Sequence, residues 1–464
     1  MSKEELLQKR LKTVSEATGW GFEKSKQEMD KAAKMGIPNG KYVLHQAWMF
    51  SEDELSELKK ILDIQKAKQS ENEIWHANVV SEKSGWPFEK SLEMLRIAKK
   101  KGYTYKMFVT DTFWRKTEEE INALPKYQKE VSEEKEADVE SRRAKAREYR
   151  DIIMEEMGWS LPKTRLESLR ARVLCGCTGI EFYLFGIYKN GIDEGNKFIT
   201  AEYNAKMKTR YCDWRAESLN YFKNKGTFNK EFKDFVTRKW FLNTEITFDK
   251  FKEIVNGLNK IIYKPIDGLE GRGIRIFALP EDESALLDVY NEIINEPEGI
   301  VEEFIVQHPA ISEIYPNAVN TIRVMSFLDN GKGKVLNAVM KFATYSNVDN
   351  YYQGGLAVGV DVETGVLCTD GVDYQGNIYK LHPYSNKELK GFKIPFWKEL
   401  VAMIEKAAKV HPEQPYIGWD VSITPNGPEI VEGNNRQGAY LIQYPFAVCN
   451  HEGKRHTIEP YLWF

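Results

Sequence analysis

The sequence predicts an α+β protein with a helical N-terminal part and a C-terminal part in which strands alternate with helices. Two observations support this division. Before about residue 225 the apolar residues mostly recur at helical spacing, and after it short β-branched runs alternate with amphipathic segments. A third observation is length: 464 residues correspond to about three units at ~150 residues each.

Composition narrows the classes of partner. The chain has 66 basic and 69 acidic residues and a net charge of −3, so nothing indicates a nucleic-acid partner. No apolar run approaches the ~18 residues of a membrane span. The polar start, MSKEELLQ, lacks the apolar core of a signal peptide, so we expect a cytoplasmic protein. The five cysteines are scattered, which favours reduced thiols.

Three related segments, which we call the Gly-Trp segments, occupy the N-terminal part. They begin at Val14, Val80 and Ile153. Each contains a Gly-Trp pair, followed by a hydroxyl side chain six residues after the glycine. We expect two short helices around each Gly-Trp turn, packed on other copies or on the next domain. Recognition of a substrate or partner and simple packing remain open as their role. The charged stretch before the third segment is predicted to be a solvated helix or a linker.

A glycine-rich loop follows the predicted strand IIYKPI. Lys264 ends the strand, and three glycines come next, Gly268, Gly271 and Gly273. Glycines allow backbone N–H groups to approach phosphate oxygens, and the lysine supplies positive charge. The order differs from a Walker loop, in which the lysine follows the glycines and opens a helix.

Two further strands carry acidic and amide side chains. Asp420 lies in one predicted strand, and Glu432 and Asn434 lie two residues apart in the next, on one face. Such oxygen ligands suit Mg²⁺ completed by ATP phosphates. Arg323, in an apolar strand, requires an anionic partner. Lys341, on a neighbouring strand, is interpreted either as a second cation for the phosphates or as a solvent-facing edge lysine.

Together these motifs resemble the ATP-grasp superfamily, most closely its sugar-transfer-associated branch, which is linked to exopolysaccharide gene clusters. The resemblance covers about residues 225–445, and its motifs follow the family order. It implies an ATP-grasp fold, two α+β subdomains that clamp ATP, preceded by the helical repeats. The expected divisions are a repeat region with charged linker, a third repeat with an aromatic connection, a nucleotide-binding subdomain and a catalytic subdomain, at 1–150, 151–225, 226–315 and 316–464.

The resemblance also implies roles for residues. Lys264 and Lys230 would contact the nucleotide, Lys230 lying within FNKEFKDFVTRKWF, which is predicted to be an amphipathic helix. The segment Glu302-Glu303-Phe304-Ile305 resembles the hinge that binds adenine and ribose, with only one of its two glutamates facing the nucleotide. Arg323 would stabilise the transferred phosphoryl group. The implied magnesium ligands are Asp420, Glu432 and Asn434, and the implied substrate residues are Asn435 and Arg436.

The implied activity is that of an ATP- and Mg²⁺-dependent ligase, which forms an amide from a small-molecule carboxylate and an amine through an acyl phosphate. The acceptor could be a peptide or a sugar-linked compound recognised by the Gly-Trp segments. Two alternatives remain. One is an ATP-grasp phosphotransferase acting on a hydroxyl, and the other is an ATP-regulated scaffold that binds a peptide or protein.

Overall fold

The computed structural model describes residues 2–128, 133–266, 273–351 and 354–461. The chain divides into two compact units between Glu202 and Tyr203. Gly268 and Gly271, two of the glycines predicted to approach phosphate, lie outside the described residues.

The described part of the first unit is helical. Its helices are α1 Lys3–Thr18, α2 Phe22–Lys34, α3 Asn39–Leu44, α4 Glu52–Ser84, α5 Phe88–Lys100, α6 Tyr105–Thr110, α7 Glu118–Asn122, α8 Glu133–Met157, α9 Leu161–Cys175, α10 Gly179–Leu184, α11 Ile187–Asn190 and α12 Ile192–Gly195. Single 3₁₀ turns lie at Ala47–Met49 and Phe113–Arg115. The charged stretch before the third Gly-Trp segment forms most of α8.

The Gly-Trp pair is a helix stop in all three segments. Helices α1, α4 and α8 are each followed by a left-handed glycine with φ of 73°, 74° and 62°, a conformation that side chains disfavour. The next helix starts three residues later. The hydroxyl six residues after each glycine is buried and donates to the carbonyl four residues before it, at Ser25, Ser91 and Thr164. The local sequence therefore builds the same turn three times.

A second repeated turn follows in each segment. After the short helices α3, α6 and α10, one residue adopts positive φ: Gln46, Thr112 and Gly186. Two residues further on stands an aromatic side chain, respectively Trp48, Trp114 and Tyr188. This fixed offset allows positions to be compared between the segments.

The first and third segments share a hydrophobic core. Val14, Met29 and Ala32 of the first belong to the same buried cluster as Leu166 and Leu169 of α9. Neither helix pair could bury its apolar stripe alone, which explains why the segments pack together.

The second unit contains two antiparallel sheets and their helices. The helices are α13 Ala201–Tyr211, α14 Ala216–Lys223, α15 Lys225–Glu231, α16 Phe248–Val255, α17 Glu283–Asn295, α18 Pro309–Ser312, α19 Trp397–Ala407, α20 Tyr440–Asn450 and α21 Arg455–Ile458. The strands are β1 Trp240–Leu242, β2 Lys260–Pro265, β3 Arg275–Ala278, β4 Gly299–Glu303, β5 Ile322–Asp329, β6 Lys332–Phe342, β7 Leu356–Val360, β8 Gly371–Val372, β9 Ile378–Tyr379, β10 Tyr416–Thr424 and β11 Gly427–Asn434.

The smaller sheet has the order β1-β4-β2-β3 and the larger one β11-β10-β5-β6-β7-β8-β9. One face of the larger sheet is apolar: Ile322, Val324, Trp419, Val421 and Ile430 are fully buried in its core. Because side chains alternate along a strand, the residues between them face the other side. That second face carries the charged residues described below.

The amphipathic helix predicted over FNKEFKDFVTRKWF is too long. Helix α15 ends at Glu231, and β1 begins at Trp240, which pairs with Glu302 of β4. The apolar spacing of Phe232 and Val236 is explained by burial in the core of the larger sheet rather than by helix. Tertiary packing thus overrides a helical period of one to two turns.

None of the helices in the described ranges is long and apolar enough to cross a membrane.

Candidate functional site

A row of charged side chains crosses three strands of the larger sheet; we call it the Arg323 row. Arg323 of β5 lies directly opposite Asp420 of β10, and Asp420 lies opposite Glu432 of β11. Opposed residues in an antiparallel pair share a face. Lys341 of β6 lies two residues beyond Val339, the partner of Arg323, and therefore shares that face as well.

The row is held by short ion pairs. Arg323 binds Asp420 with two parallel contacts, Nε to Oδ1 at 2.8 Å and Nη2 to Oδ2 at 2.7 Å. This fork geometry is the strongest arrangement available to an arginine. Lys341 Nζ lies 3.3 Å from Asp420 and 3.5 Å from Asp349. Asp349 also accepts from the backbone N–H and hydroxyl of Thr321.

The electrostatics differ along the row. Burial opposes ionisation of Asp420, but Arg323 and Lys341 outweigh it and hold the pKa of that carboxyl well below its ordinary value. Glu432 lies at the row's open edge, where solvent reaches it. Desolvation by the protein atoms around its carboxyl group nevertheless raises the pKa of Glu432, and the adjacent Asp420 carboxylate raises it further. Two carboxyl groups side by side favour either a shared proton or a bound cation.

A β-bulge sets this alignment. Asp420 pairs with Glu432, but the next residue, Val421, pairs with Ile430, so Val431 is extra. Because of this one extra residue, Glu432 faces the charged side while Ile430 remains in the apolar core.

The residues after Glu432 extend the site. Asn434 donates to Glu432 Oε1 at 3.3 Å. Asn435 is buried and contacts Cys212 Sγ at 3.7 Å, whereas Arg436 is exposed and lies over the Trp214 ring at 5.6 Å. Of the sequence-predicted ligands, Asp420, Glu432 and Asn434 therefore lie together, and Asn435 and Arg436 point to different surroundings.

Gln437 is a polar residue that the sequence analysis missed. It is 2% exposed, and within the described residues neither polar atom of its amide has a hydrogen-bond partner. A Cβ at Gly418 would lie 2.3 Å from its Oε1, so glycine there makes room for the amide. Gly418 lies two residues before Asp420 on the same face. The only sequence signal was this glycine within an apolar strand.

A second charged group, which we call the Arg238 cluster, consists of Arg238, Glu302 and Glu429. Arg238 binds Glu302 of the smaller sheet at 2.6 Å and Glu429 of the larger sheet at 2.9 Å. Its guanidinium also donates to the carbonyls of Ile430 and Val431. All three side chains are at most 6% exposed, so the charges are compensated within the protein.

Lys264 joins this cluster from the nucleotide-binding motif. Its Nζ lies 2.5 Å from Glu302 Oε2, and Asn229 donates to Glu302 Oε1 at 2.8 Å. Burial disfavours the charge of Glu302, but Lys264 and Arg238 prevail and lower its pKa well below the ordinary value. Glu303, in contrast, is half-buried and accepts from the backbone N–H of Lys239. The structure thus shows that Glu302 faces the lysine.

The other predicted nucleotide contacts are distributed differently. Lys230 is exposed on α15, beside the buried Asn229 that reaches Glu302, so the structure does not bring it to Lys264. Phe304 and Ile305 are half-buried after β4, and Gly273 has a left-handed φ of 73° close to Pro265. Lys225, which the sequence analysis did not select, donates to the carbonyls of Pro265 and Ile266, where the glycine-rich loop starts.

The comparisons with known proteins concern the same region. Residues 238–459 match the family described as sugar-transfer associated ATP-grasp. None of the curated proteins matches the chain.

Solved structures that match part of this chain include ATP-grasp ligases. The ligase PsnB, complexed with a minimal precursor, has 13% identity and a TM-score of 0.31, covering 52% of this chain and 64% of its own. D-alanyl-alanine synthetase A from Vibrio cholerae has 12% identity, a TM-score of 0.31 and coverages of 52% and 64%. The L-amino acid ligase from Bacillus licheniformis has 11% identity, a TM-score of 0.31 and coverages of 49% and 43%. The matched part is less than two thirds of each of these chains.

The family match spans both Arg238 and Glu432, and with them the smaller sheet, the Arg238 cluster and the Arg323 row. The C-terminal part of this chain, residues 238–459, therefore belongs to the sugar-transfer-associated ATP-grasp family and has the ATP-grasp fold.

Proposed function

We propose that this protein is an ATP- and Mg²⁺-dependent ligase that joins a carboxylate to an amine and forms ADP and phosphate. The Arg323 row carries the proposal. It places a carboxyl pair and two cations on one sheet face and ends in Glu432, which solvent reaches. Phosphoryl transfer requires this combination, because negative charge must be neutralised on both sides of the transferred group.

The donor chemistry fits a magnesium ion. Asp420, Glu432 and Asn434 supply carboxylate and amide oxygens, which are the protein ligands that Mg²⁺ prefers. Within the described residues, no three His, Cys, Asp or Glu side chains form a metal site by themselves. Two carboxylates completed by phosphate oxygens agree with the usual magnesium–nucleotide arrangement. When bound, Mg²⁺ would neutralise phosphate charge.

The chain's cations would orient the phosphates. Asp420 fixes the fork of Arg323, so the guanidinium is held in place before any ligand arrives. Lys341 adds a second charge beside it. Glu302 holds Lys264 at the end of β2, where the glycine-rich loop begins. The role of each residue is preorganisation, and no protein nucleophile is needed.

The proposed reaction has two steps. An oxygen of the substrate carboxylate attacks the γ-phosphorus of ATP, and the bond to the ADP oxygen breaks, giving an acyl phosphate. The amine then attacks the acyl carbon, the phosphate leaves with the bonding electron pair, and the ammonium loses a proton to form the amide. We propose an amino acid or small peptide as the amine and a uronic or sugar-linked acid as the carboxylate. We propose that Asn435, Arg436 and Gln437, which follow Asn434 in the chain, contact them.

The test is ³¹P NMR of Mg-ATP with the protein and pools of amino acids and uronic acids, with and without hydroxylamine. We expect ADP and phosphate when a carboxylate is present together with an amine or with hydroxylamine, and in the second case also a hydroxamate, detected by the colour of its iron(III) complex. Glu432→Gln should lower the rate at which both products form by about 10²–10³-fold. A phosphorylated metabolite without hydroxamate would replace this proposal with a phosphotransferase acting on a hydroxyl.

A further inference from the structure

A cavity of about 520 Å³ lies beside the second Gly-Trp segment. Its described lining combines two indole rings and four cations with one carboxylate, Glu118. The rings and cations are Trp86, Trp114, Lys83, Lys90, Arg115 and Lys116. Its volume falls within the range of small-molecule sites, about 300–1,000 Å³.

Hydrogen bonds hold the backbone of Trp86 and the indole ring of Trp114. Ser81 Oγ donates to the Trp86 carbonyl at 2.6 Å, and the Trp86 N–H donates to Ser84 Oγ at 3.0 Å. The indole N–H of Trp114 donates to the Val109 carbonyl. Trp114 therefore offers the cavity its ring surface rather than a donor. Lys90 lies 5.1 Å from the Trp86 ring, and Arg115 lies 4.6 Å from the Trp114 ring.

In the third segment the equivalent aromatic and cationic side chains bind a carboxylate of the protein itself. Tyr188 and Lys189 stand where Trp114 and Arg115 stand in the second. Lys189 Nζ lies 2.8 Å from Glu156, and the Tyr188 hydroxyl donates to the same carboxylate. Glu156 precedes its segment's Gly-Trp glycine by two residues. In the third segment, Glu156 thus supplies the anion that binds the aromatic and cationic side chains at these positions.

The second segment has a cation in place of that anion. Two residues before its Gly-Trp glycine stands Lys83, so the position of the internal carboxylate is reversed in charge. Among the described residues, Arg115 has no ion-pair partner, in contrast to Lys189. The first segment has Ala17, Met49 and Phe50 where the second has Lys83, Arg115 and Lys116. The positive cavity is therefore specific to the second segment and does not follow from the shared fold.

We propose that this cavity binds a small organic phosphate whose ring lies against the indoles. A single carboxylate satisfies the third segment with one lysine and one tyrosine, whereas four cations suit a group of about two negative charges with three acceptor oxygens. The volume exceeds what a bare anion needs, and the indole faces offer flat apolar surface to a sugar or similar ring. This site goes beyond the proposed ligase activity and does not rest on it.

The test is calorimetry of the full chain with glucose 1-phosphate in the presence of saturating Mg-ADP, which occupies any nucleotide site. Inorganic phosphate and glucose are the comparison ligands. We expect glucose 1-phosphate to bind best and its affinity to fall with rising salt, because the contacts are charge-based and partly exposed.

The decisive variant is Lys83→Glu, which installs the carboxylate of the third segment. It should weaken binding by about tenfold or more, because the new side chain competes for Arg115 and repels the phosphate. The double variant Arg115→Met/Lys116→Phe carries the residues of the first segment and should weaken binding similarly. Lys24→Ala, which changes the first segment's Trp-stacked lysine, should leave it unchanged.

Three results would overturn the proposed site or its ligand class. Equal affinity of wild type and both second-segment variants would overturn the site, since all three keep the fold and differ only at exposed or half-exposed cavity residues. Absence of binding by glucose 1-phosphate up to about 10 mM would also overturn it. Inorganic phosphate binding as tightly as glucose 1-phosphate would reject the ring contact and hence the ligand class. None of these three results depends on whether the ligase reaction occurs.

Discussion

The Arg238 cluster and the Arg323 row use the same residue types in opposite ways. Each centres on an arginine, 2% exposed in the cluster and 16% exposed in the row, that binds carboxylate from neighbouring strands. In the Arg238 cluster both acidic partners are buried, and the arginine also satisfies two backbone carbonyls. In the Arg323 row the last carboxyl group, Glu432, is open to solvent. Accessibility to solvent, rather than residue composition, therefore separates a structural charge group from one that is available to ligands.

The largest effect is expected in the Arg238 cluster. Arg238→Met leaves Glu302 and Glu429 buried without their shared cation, which should lower the free energy of unfolding by about 3–5 kcal/mol. Urea denaturation followed by circular dichroism measures it. Arg215→Met is the matched control, because that arginine is 39% exposed in its pair with Asp213 and should cost at most about 1 kcal/mol. Equal costs in the two variants would show that the Arg238 cluster stabilises the fold no more than a half-exposed ion pair does.

Two glutamates three residues apart on β11 test the comparison directly. Glu432→Gln should lower turnover about 10²–10³-fold with little change in Tm, because it alters charge at the open edge of the row. Glu429→Gln should lower Tm while folded enzyme keeps its turnover, because among the described residues that carboxylate contacts the closed cluster and nearby backbone. ADP release and thermal melts of both variants give the four values. The same pattern in both variants would contradict our assignment.

Lys264 binds the Arg238 cluster and is also proposed to contact the nucleotide, so its substitution should affect both stability and turnover. Lys264→Ala should reduce turnover about 10²-fold through loss of a fixed cation near the phosphates. Since Lys264 also binds the buried Glu302, we expect some loss of stability as well. Lys230→Ala is the control: that lysine is exposed on α15, and the structure predicts normal turnover. If Lys230→Ala proves the more damaging, the sequence resemblance identifies the nucleotide lysine better than the geometry does.

The smallest expected effect is on the pH dependence of stability in acid. Because the pKa of Glu302 is lowered in the folded protein, its contribution to stability is complete above its ordinary pKa of about 4.5 and is lost as pH falls below it. We expect this residue to contribute up to about 1.4 kcal/mol per pH unit to the slope of unfolding free energy in that range. Glu302→Gln lacks the titrating group and should show a shallower slope between about pH 4.5 and 3. An unchanged slope would show that Lys264 and Arg238 do not hold Glu302 ionised.

The strands and the face of the Arg323 row could be predicted from the sequence. Period-two alternation places Arg323 and Asp420 opposite their apolar neighbours and puts Glu432 and Asn434 on one face, and the strand boundaries agree within a few residues. The bulge at Val431, which brings that face to the charged side of the sheet, could not be predicted from the alternation. Such parity is a local property, and it therefore survives without knowledge of the tertiary fold.

The tertiary partners could not be predicted. Arg238 lies in a turn with no period, and its carboxylates come from two different sheets. The choice between Glu302 and Glu303 depends on which face of β4 meets Lys264, which the apolar pattern of that short strand does not determine. Asn229 rather than Lys230 reaches the cluster, because successive helix residues point about 100° apart. Each of these depends on the relative placement of elements distant in the chain.

The bulge at Val431 has a consequence for insertions and deletions. A deletion inside a strand normally shifts every following side chain to the wrong face. Here Asp420 already pairs with Glu432 and Val421 with Ile430, so removal of Val431 would leave both pairings and both faces intact. It would instead remove a carbonyl that Arg238 uses and straighten the strand below Glu432. At this position the coding sequence can therefore lose a codon while the sheet is kept. The loss would mainly change the orientation of the Glu432 carboxylate.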